Sequence, residues 1–193
     1  MYVRINLPAK FRNQEPYDPH VIQALQNTFS NLDIQWGGYD YGPITKALQT
    51  FRDYKSVKAI VSIDDDIYYS PHMAETIMTL ASDCVHSGNI QNLHGLQIPY
   101  GADVIVYPTS LITSEFIRRL EYLIQTPCKM HDDMMIAITL KSLGISVRTC
   151  PRMRVSQTQE QYSSESLVTS TDREVLYRTC EAVYAKSVEF NLL

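Results

Sequence analysis

The sequence predicts a single α/β domain built around a mostly parallel sheet flanked by helices. Three observations carry that prediction. Strand-like and helix-like stretches alternate through the first half in the order β-α-β-α-β-α, and such alternation favours a parallel sheet between helix layers. Val57 to Ile63 reads Val-Lys-Ala-Ile-Val-Ser-Ile, the nearly continuous apolar run expected of a central strand covered on both faces. That run stops abruptly at Asp64, Asp65 and Asp66, at the carboxyl end of a strand, where open α/β sheets bind ligands.

Each element has a local cause. The opening residues Val3, Ile5 and Leu7 alternate with Arg4 and Asn6, as in a strand with one buried face. Asp18-Pro19 starts a helix, because Asp caps free amides and Pro fits the first turn. Val21, Leu25, Phe29 and Leu32 then recur at helical spacing and predict its buried stripe. A short strand is expected from Asp33 to Trp36, and Gly37 to Pro43 is rich in turn formers. A helix over Ile44 to Tyr54 would turn Ala47, Leu48 and Phe51 inward. After the acidic cluster, Ser70-Pro71 opens a helix with Met73, Ile77, Leu80, Ala81 and Cys84 on one stripe, closed by Ser87-Gly88. The second half predicts a strand over Asp103 to Tyr107, helices over Ser114 to Ile124 and Asp132 to Leu143, and a strand over Ile145 to Thr149. Gly144 closes the second of those helices. Cys150 to Thr169 is polar and aperiodic and reads as a loop. Thr171 and Glu174 form a capping box for a final helix carrying Leu176, Cys180, Val183 and Tyr184.

Composition narrows the function. With 193 residues and 45% hydrophobic content, one domain can bury a sizeable core without a structural metal. The net charge of −4 offers no basic face for nucleic acid. No stretch has the length or apolarity of a signal core or a transmembrane span. The four cysteines, Cys84, Cys128, Cys150 and Cys180, form no Cys-x-x-Cys pair, which argues against zinc. They read as buried free thiols, and the expected compartment is the cytoplasm.

The aspartates carry the chemistry. Three adjacent carboxylates repel one another unless a cation or hydrogen-bond donors compensate. Alternate residues point to the same side of an extended backbone, so Asp64 and Asp66 can address one ligand together. Hard divalent cations prefer such oxygens, and Mg²⁺ or Mn²⁺ commonly bridges carboxylates and substrate phosphates. Asp132 and Asp133 begin a predicted helix, where carboxylates also cap amides and suit the helix dipole. Neighbouring helical residues point about 100° apart, so one can cap while the other faces a site.

The segment Val61-Ser-Ile-Asp-Asp-Asp-Ile67-Tyr-Tyr resembles the Asp-x-Asp region of GT-A-fold glycosyltransferases, especially compact enzymes of bacteria and large DNA viruses. Asp40-Tyr-Gly-Pro-Ile-Thr-Lys46 looks like the Asp-x-Gly-Pro-x-Thr-Lys segment that some members carry before it. His131-Asp-Asp-Met-Met-Ile-Ala137, followed by Leu143-Gly-Ile145, looks like their later Glu-Asp or Asp-Asp helix. The likeness covers about residues 1 to 150. It implies a Rossmann-like GT-A domain over 1–193, with the nucleotide-sugar half at 1–100 and the acceptor-side half with the C-terminal helix at 101–193. It further implies transfer of a sugar, inverting, from a nucleoside-diphosphate sugar such as a UDP-sugar to a hydroxyl of a glycan or small acceptor.

By this resemblance Asp66 binds the metal. Asp64 joins the metal shell or holds the nucleotide, and Asp65 belongs to the same cluster. Lys46 adds positive charge at the diphosphate, and Asp40 accepts a bond from base or ribose. The family places its base second in the acidic pair, which favours Asp133. This chain has Asp where the family has Glu, so Asp132 stays open as the alternative. His94 or His131 could complete the metal shell, as could water. Trp36, Tyr68, Tyr69 and Tyr100 could stack on sugar or base, with ordinary packing as the competing role. Two other functions fit the aspartates: a Mg²⁺-dependent phosphatase of the haloacid dehalogenase type, and a non-catalytic nucleotide-sugar-binding module. The first is disfavoured by Tyr68 where such enzymes carry Thr or Val. The second has no use for a base at 132–133.

Overall fold

The computed structural model describes residues 3–8, 17–54, 56–64, 67–93, 95–101, 103–157 and 173–189. Their order is β1 (Val3–Pro8), α1 (Pro19–Thr28), β2 (Leu32–Gly38), α2 (Thr45–Asp53), β3 (Ala59–Ser62), β4 (Ile67–Tyr69), α3 (Met73–Met78) and β5 (Val85–Ser87). There follow β6 (Ile90–Leu93), β7 (Leu96–Pro99), β8 (Ile105–Pro108), α4 (Ser114–Ile124), α5 (Asp132–Ser142), β9 (Val147–Thr149), β10 (Arg154–Gln157) and α6 (Arg173–Glu189). The fold is mixed α/β.

The sheet departs from the expected parallel arrangement. Four strands lie in the order β3-β8-β5-β9. β8 runs antiparallel to both β3 and β5, and only β5–β9 is parallel. Thus β3, β5 and β9 point one way, with β8 reversed between them. The cause is the connection from β5 to β8. Parallel neighbours need a crossover, usually helical, but here the antiparallel hairpin β6–β7 returns the chain, turning at Gly95 with φ +81°. Four-residue strands are too short to show a period, so this hairpin left no clear sequence signal. β3 is therefore an edge of this described sheet rather than its centre. β1 and β2 form a separate parallel pair.

Helix predictions held where burial is one-sided. Asp18 Oδ1 accepts from His20 N at 2.8 Å and Pro19 follows, starting α1 as expected. Its predicted stripe is wrong, however. Val21, Leu25 and Phe29 are exposed, and Ile22 is the buried residue of the helix. α2 buries Ala47, Leu48 and Phe51 as predicted, and α4 matches its predicted span. The helix expected to reach Ser87 stops at Met78. Cys84 leads instead into β5. β10 lies inside the predicted loop and pairs antiparallel with β4. The final helix forms, while Thr171 of its expected capping box lies outside the described residues.

The main core sits between α2, α4, α5 and the sheet. Phe51 meets Tyr107 and Phe116 edge-on, with ring centroids 4.9 and 5.6 Å away. α5 is buried on every side from Met134 to Leu140, so it is a central helix rather than a surface one. A second cluster, Val104, Val106, Cys150 and Met153, forms beneath Met73, Ile77 and Leu80. Cys128 and Cys180 form a disulfide, while Cys84 and Cys150 are buried thiols. The reading of four free thiols fails for the first pair, and the expectation of a reducing compartment loses that support. Among the described residues, no helix is long and apolar enough to cross a membrane.

Candidate functional site

The segment Asp40 to Lys46 builds one wall of the site, and each residue has a mechanical task. Asp40 Oδ1 accepts from Gly42 N at 2.8 Å, closing a turn. Gly42 has φ +77°, and a Cβ there would stand 2.9 Å from Lys129 O, so only glycine fits. Pro43 occupies the start of a 3-10 turn, Gly42–Ile44. Thr45 Oγ1 accepts from Tyr41 N at 2.9 Å. Asn6 Nδ2 donates to Lys46 O at 2.8 Å, which pins the backbone beneath the lysine side chain. The turn thereby docks on the strand β1 and on the Pro127–Met130 turn, and delivers the Lys46 ammonium.

That ammonium joins two distant acidic segments. Lys46 Nζ donates to Asp64 Oδ1 at 2.8 Å and lies 3.2 Å from Asp132 Oδ2. Burial opposes the lysine's charge, but Asp132 and Asp64 outweigh it and hold the ammonium well above its usual titration range. Asp64 follows β3 directly, and its backbone N donates to Tyr69 Oη at 2.9 Å. Burial, more than its charged neighbours, raises that phenol to about 12, so it stays neutral.

Asp133 is held from the opposite side. Its Oδ1 accepts from Gly101 N at 3.1 Å. Gly101 is buried, and a Cβ there would stand 3.3 Å from both Asp133 Oδ1 and Lys46 Nζ. Burial first, then the charge of Asp132, raises the Asp133 carboxyl to about 8 against the pull of Lys46 and the Gly101 amide. The helix start is capped by neither aspartate. His131 Nδ1 accepts from Met134 N at 3.4 Å, leaving Asp132 and Asp133 to face the lysine and Gly101. The expected capping role of the acidic pair is thus taken by the preceding histidine.

The structure brings Lys46, Asp64, Asp132 and Asp133 together. It does not join Asp40 to them by any described contact. Asp40 is exposed and lines a cavity of about 510 Å³ with Tyr39, Tyr41, Thr126 and Lys129. Asp65, Asp66 and His94 lie outside the described residues. Trp36 and Tyr68 are exposed. Tyr100 spans from Gln91 to Tyr177, with its hydroxyl 2.6 Å from the Tyr177 hydroxyl. Tyr177 in turn packs on the His131 ring at 4.9 Å between centroids.

Sequence reasoning missed Gly101 and Tyr177 altogether. Gly101 had a faint signal, a glycine one residue past a Pro-Tyr pair before an apolar strand. Tyr177 had none, because only the docking of α6 brings it to the site. One ligand atom from each of His131, Asp132 and Asp133 lies within 4.8 Å of the others, a spacing at which a cation could be held, while Asp64 is joined to Asp132 through the Lys46 ammonium. Carboxylates, one of them on the half-buried Asp133, and a lysine can hold a cation or an anion and can take up a proton. Comparison with known proteins adds no relative, since no family model matches the chain and no curated protein does.

Proposed function

We propose that this protein is a metal-dependent glycosyltransferase of the GT-A type, transferring a sugar from a nucleoside-diphosphate sugar to an acceptor hydroxyl. The observation that carries the reading is the meeting of Lys46, Asp64 and the Asp132–Asp133 pair. These residues come from the three segments that resemble the family's motifs, and up to 87 positions separate them in the chain (133 − 46). A shared site for all three is what a donor-binding and base-bearing centre requires.

Asp64, with Asp66 by resemblance, would hold Mn²⁺ or Mg²⁺ on the donor diphosphate. Bound there, the ion supplies Lewis-acid stabilisation of the departing nucleoside diphosphate. Lys46 contributes a second positive charge to the same leaving group. Asp133 takes the proton of the acceptor hydroxyl. Its burial and its hydrogen bond from Gly101 hold one carboxylate oxygen fixed, and because its carboxyl is raised it must first lose its own proton to act as base, so turnover by this route rises with pH towards about 8. Asp132, paired with Lys46 before the donor binds, raises the proton affinity of its neighbour. Tyr69 holds the Asp64 backbone in place.

The experiment is a screen of nucleotides and nucleotide sugars for thermal stabilisation with and without Mn²⁺, followed by a transfer or donor-hydrolysis assay. Stabilisation by a nucleoside diphosphate that needs Mn²⁺, together with Mn²⁺-dependent donor turnover, is the expected result. Phosphatase activity without nucleotide-sugar turnover would move the protein to the haloacid dehalogenase type. Nucleotide-sugar binding without turnover would leave a binding module.

A further inference from the structure

Lys46 is placed oddly for a residue whose only task is to meet a phosphate. Its ammonium is already engaged at 2.8 Å by Asp64, the residue assigned to the metal shell, and lies 3.2 Å from Asp132, the neighbour of the base. Without that cation, Asp64 and Asp132 would face each other uncompensated across a partly buried space, where like charges repel strongly. The ammonium is also next to Gly101, whose missing side chain leaves room for it. Its backbone is pinned by Asn6, while 36% of its side chain is open to solvent. Four flexible methylenes separate a fixed anchor from a partly open head group, so the head can swing without disturbing α2.

We infer that Lys46 is the resident counter-ion of the site: it holds Asp64 and Asp132 together before substrate arrives, gives up Asp64 to the divalent cation, and then moves to the donor diphosphate. The inference rests on the transferase reading above and deepens it. A divalent cation and an ammonium compete for the same Asp64 oxygen, so the cation alone must displace Lys46. The incoming diphosphate then supplies the displaced ammonium with new oxygens. Metal and diphosphate therefore bind cooperatively for a reason built into this chain. The metal pays for breaking the Lys46–Asp64 pair, and the diphosphate restores a partner for the lysine.

The test uses the intact chain and two readouts other than turnover. Isothermal calorimetry measures Mg²⁺ and Mn²⁺ binding with and without UDP. Brief amine acylation followed by mass spectrometry reports how available Lys46 is, with the exposed Lys58 and Lys141 as internal references. Low labelling of Lys46 in the metal-free protein, a clear rise with Mg²⁺ alone, and renewed protection with Mg²⁺ and UDP are expected. Lys46→Met should bind Mn²⁺ alone more tightly and lose the enhancement by UDP, a coupling of about 5–150-fold in ordinary cases. If calorimetry shows Mg²⁺ binding but Lys46 labelling does not change, the counter-ion role is overturned and the transferase reading stands. If neither cation binds even with UDP, the metal-dependent reading itself falls and takes this inference with it.

Discussion

Asp133 is where local chemistry is most constrained. It combines burial, a fixed amide donor and a charged neighbour, and its proton affinity follows from all three. Replacing it by Asn keeps the shape and the Gly101 hydrogen bond but removes the carboxylate proposed as base. Asp133→Asn should lower turnover by about 10²–10⁴-fold, the usual contribution of a positioned base, while donor affinity measured by calorimetry stays near wild type. Loss of donor binding instead would place Asp133 on the donor. The same carboxyl has a stability signature. Its reference value is 3.8 and its folded value about 8, so between these the folded chain keeps a proton that the unfolded chain has released. Its stabilising contribution is complete below the lower value and is lost as pH rises towards the upper one. Wild-type melting temperature should therefore fall relative to Asp133→Asn between about pH 5 and 8. Parallel melting curves of the two proteins would remove this assignment. Gly101→Ala is the companion test. Its Cβ would press on Asp133 Oδ1 and Lys46 Nζ at 3.3 Å, so turnover should drop with little change in melting temperature.

At the scale of elements, short β10 matters out of proportion to its length. It pairs with β4, the strand that leaves the acidic cluster. It is anchored by Asp103, a buried carboxylate whose Oδ1 accepts from Met153 N at 3.2 Å and Arg154 N at 3.1 Å. Gly88 makes room, since a Cβ there would stand 2.5 Å from the Asp103 carboxyl carbon. Among the described residues, the other oxygen of Asp103 has no hydrogen bond, only Arg152 Nε at 3.5 Å. Hydrogen bonds to a charged group contribute about 1.5–3 kcal/mol each. Asp103→Ala should cost a few kcal/mol by that measure and raise hydrogen exchange at Met153 and Arg154 above that of the α5 amides. Unchanged exchange at those two amides would mean that β10 is held by other contacts. Tyr69, on β4, carries the effect to Asp64 through its hydroxyl.

At the scale of the whole molecule, the Cys128–Cys180 disulfide ties α6 to the turn just before the Asp132–Asp133 helix, across a sequence separation of 52. The tie sets Tyr177 against both Tyr100 and His131. Disulfides that close loops of this size stabilise by constraining the unfolded chain, typically by about 2–5 kcal/mol. The double variant Cys128→Ala, Cys180→Ala should lose stability in that range, measured by urea unfolding. A thiol reductant should lower the stability of the wild type and leave the variant unaffected. Equal stability of variant and wild type in the absence of reductant would show that packing alone holds α6.

Much of the molecule was legible from residues alone, and the reason is locality. The start of α1 at Asp18-Pro19, the inward face of α2 and the span of α4 follow from capping chemistry and one-sided burial, which a short window of sequence displays. The acidic strand end stood out because three adjacent carboxylates are unusual after an apolar strand, whereas Lys46 and the Asp132–Asp133 pair, ordinary residue types on a helix and at a helix start, were singled out only by the motif resemblance. Strand direction was not, because it depends on whether a connection crosses the sheet or turns back, and the β6–β7 hairpin decides that over a distance no period reveals. The exposed stripe of α1 is a second case: helical spacing marks an apolar face, but only the tertiary structure decides whether anything covers it. The partners of the aspartates are a third. Sequence named the carboxylates, while packing decided that His131 caps their helix, that a buried Gly101 amide holds Asp133, and that one ammonium bridges Asp64 and Asp132. Those are contacts between residues far apart in the chain, and their energies exist only once the chain has folded.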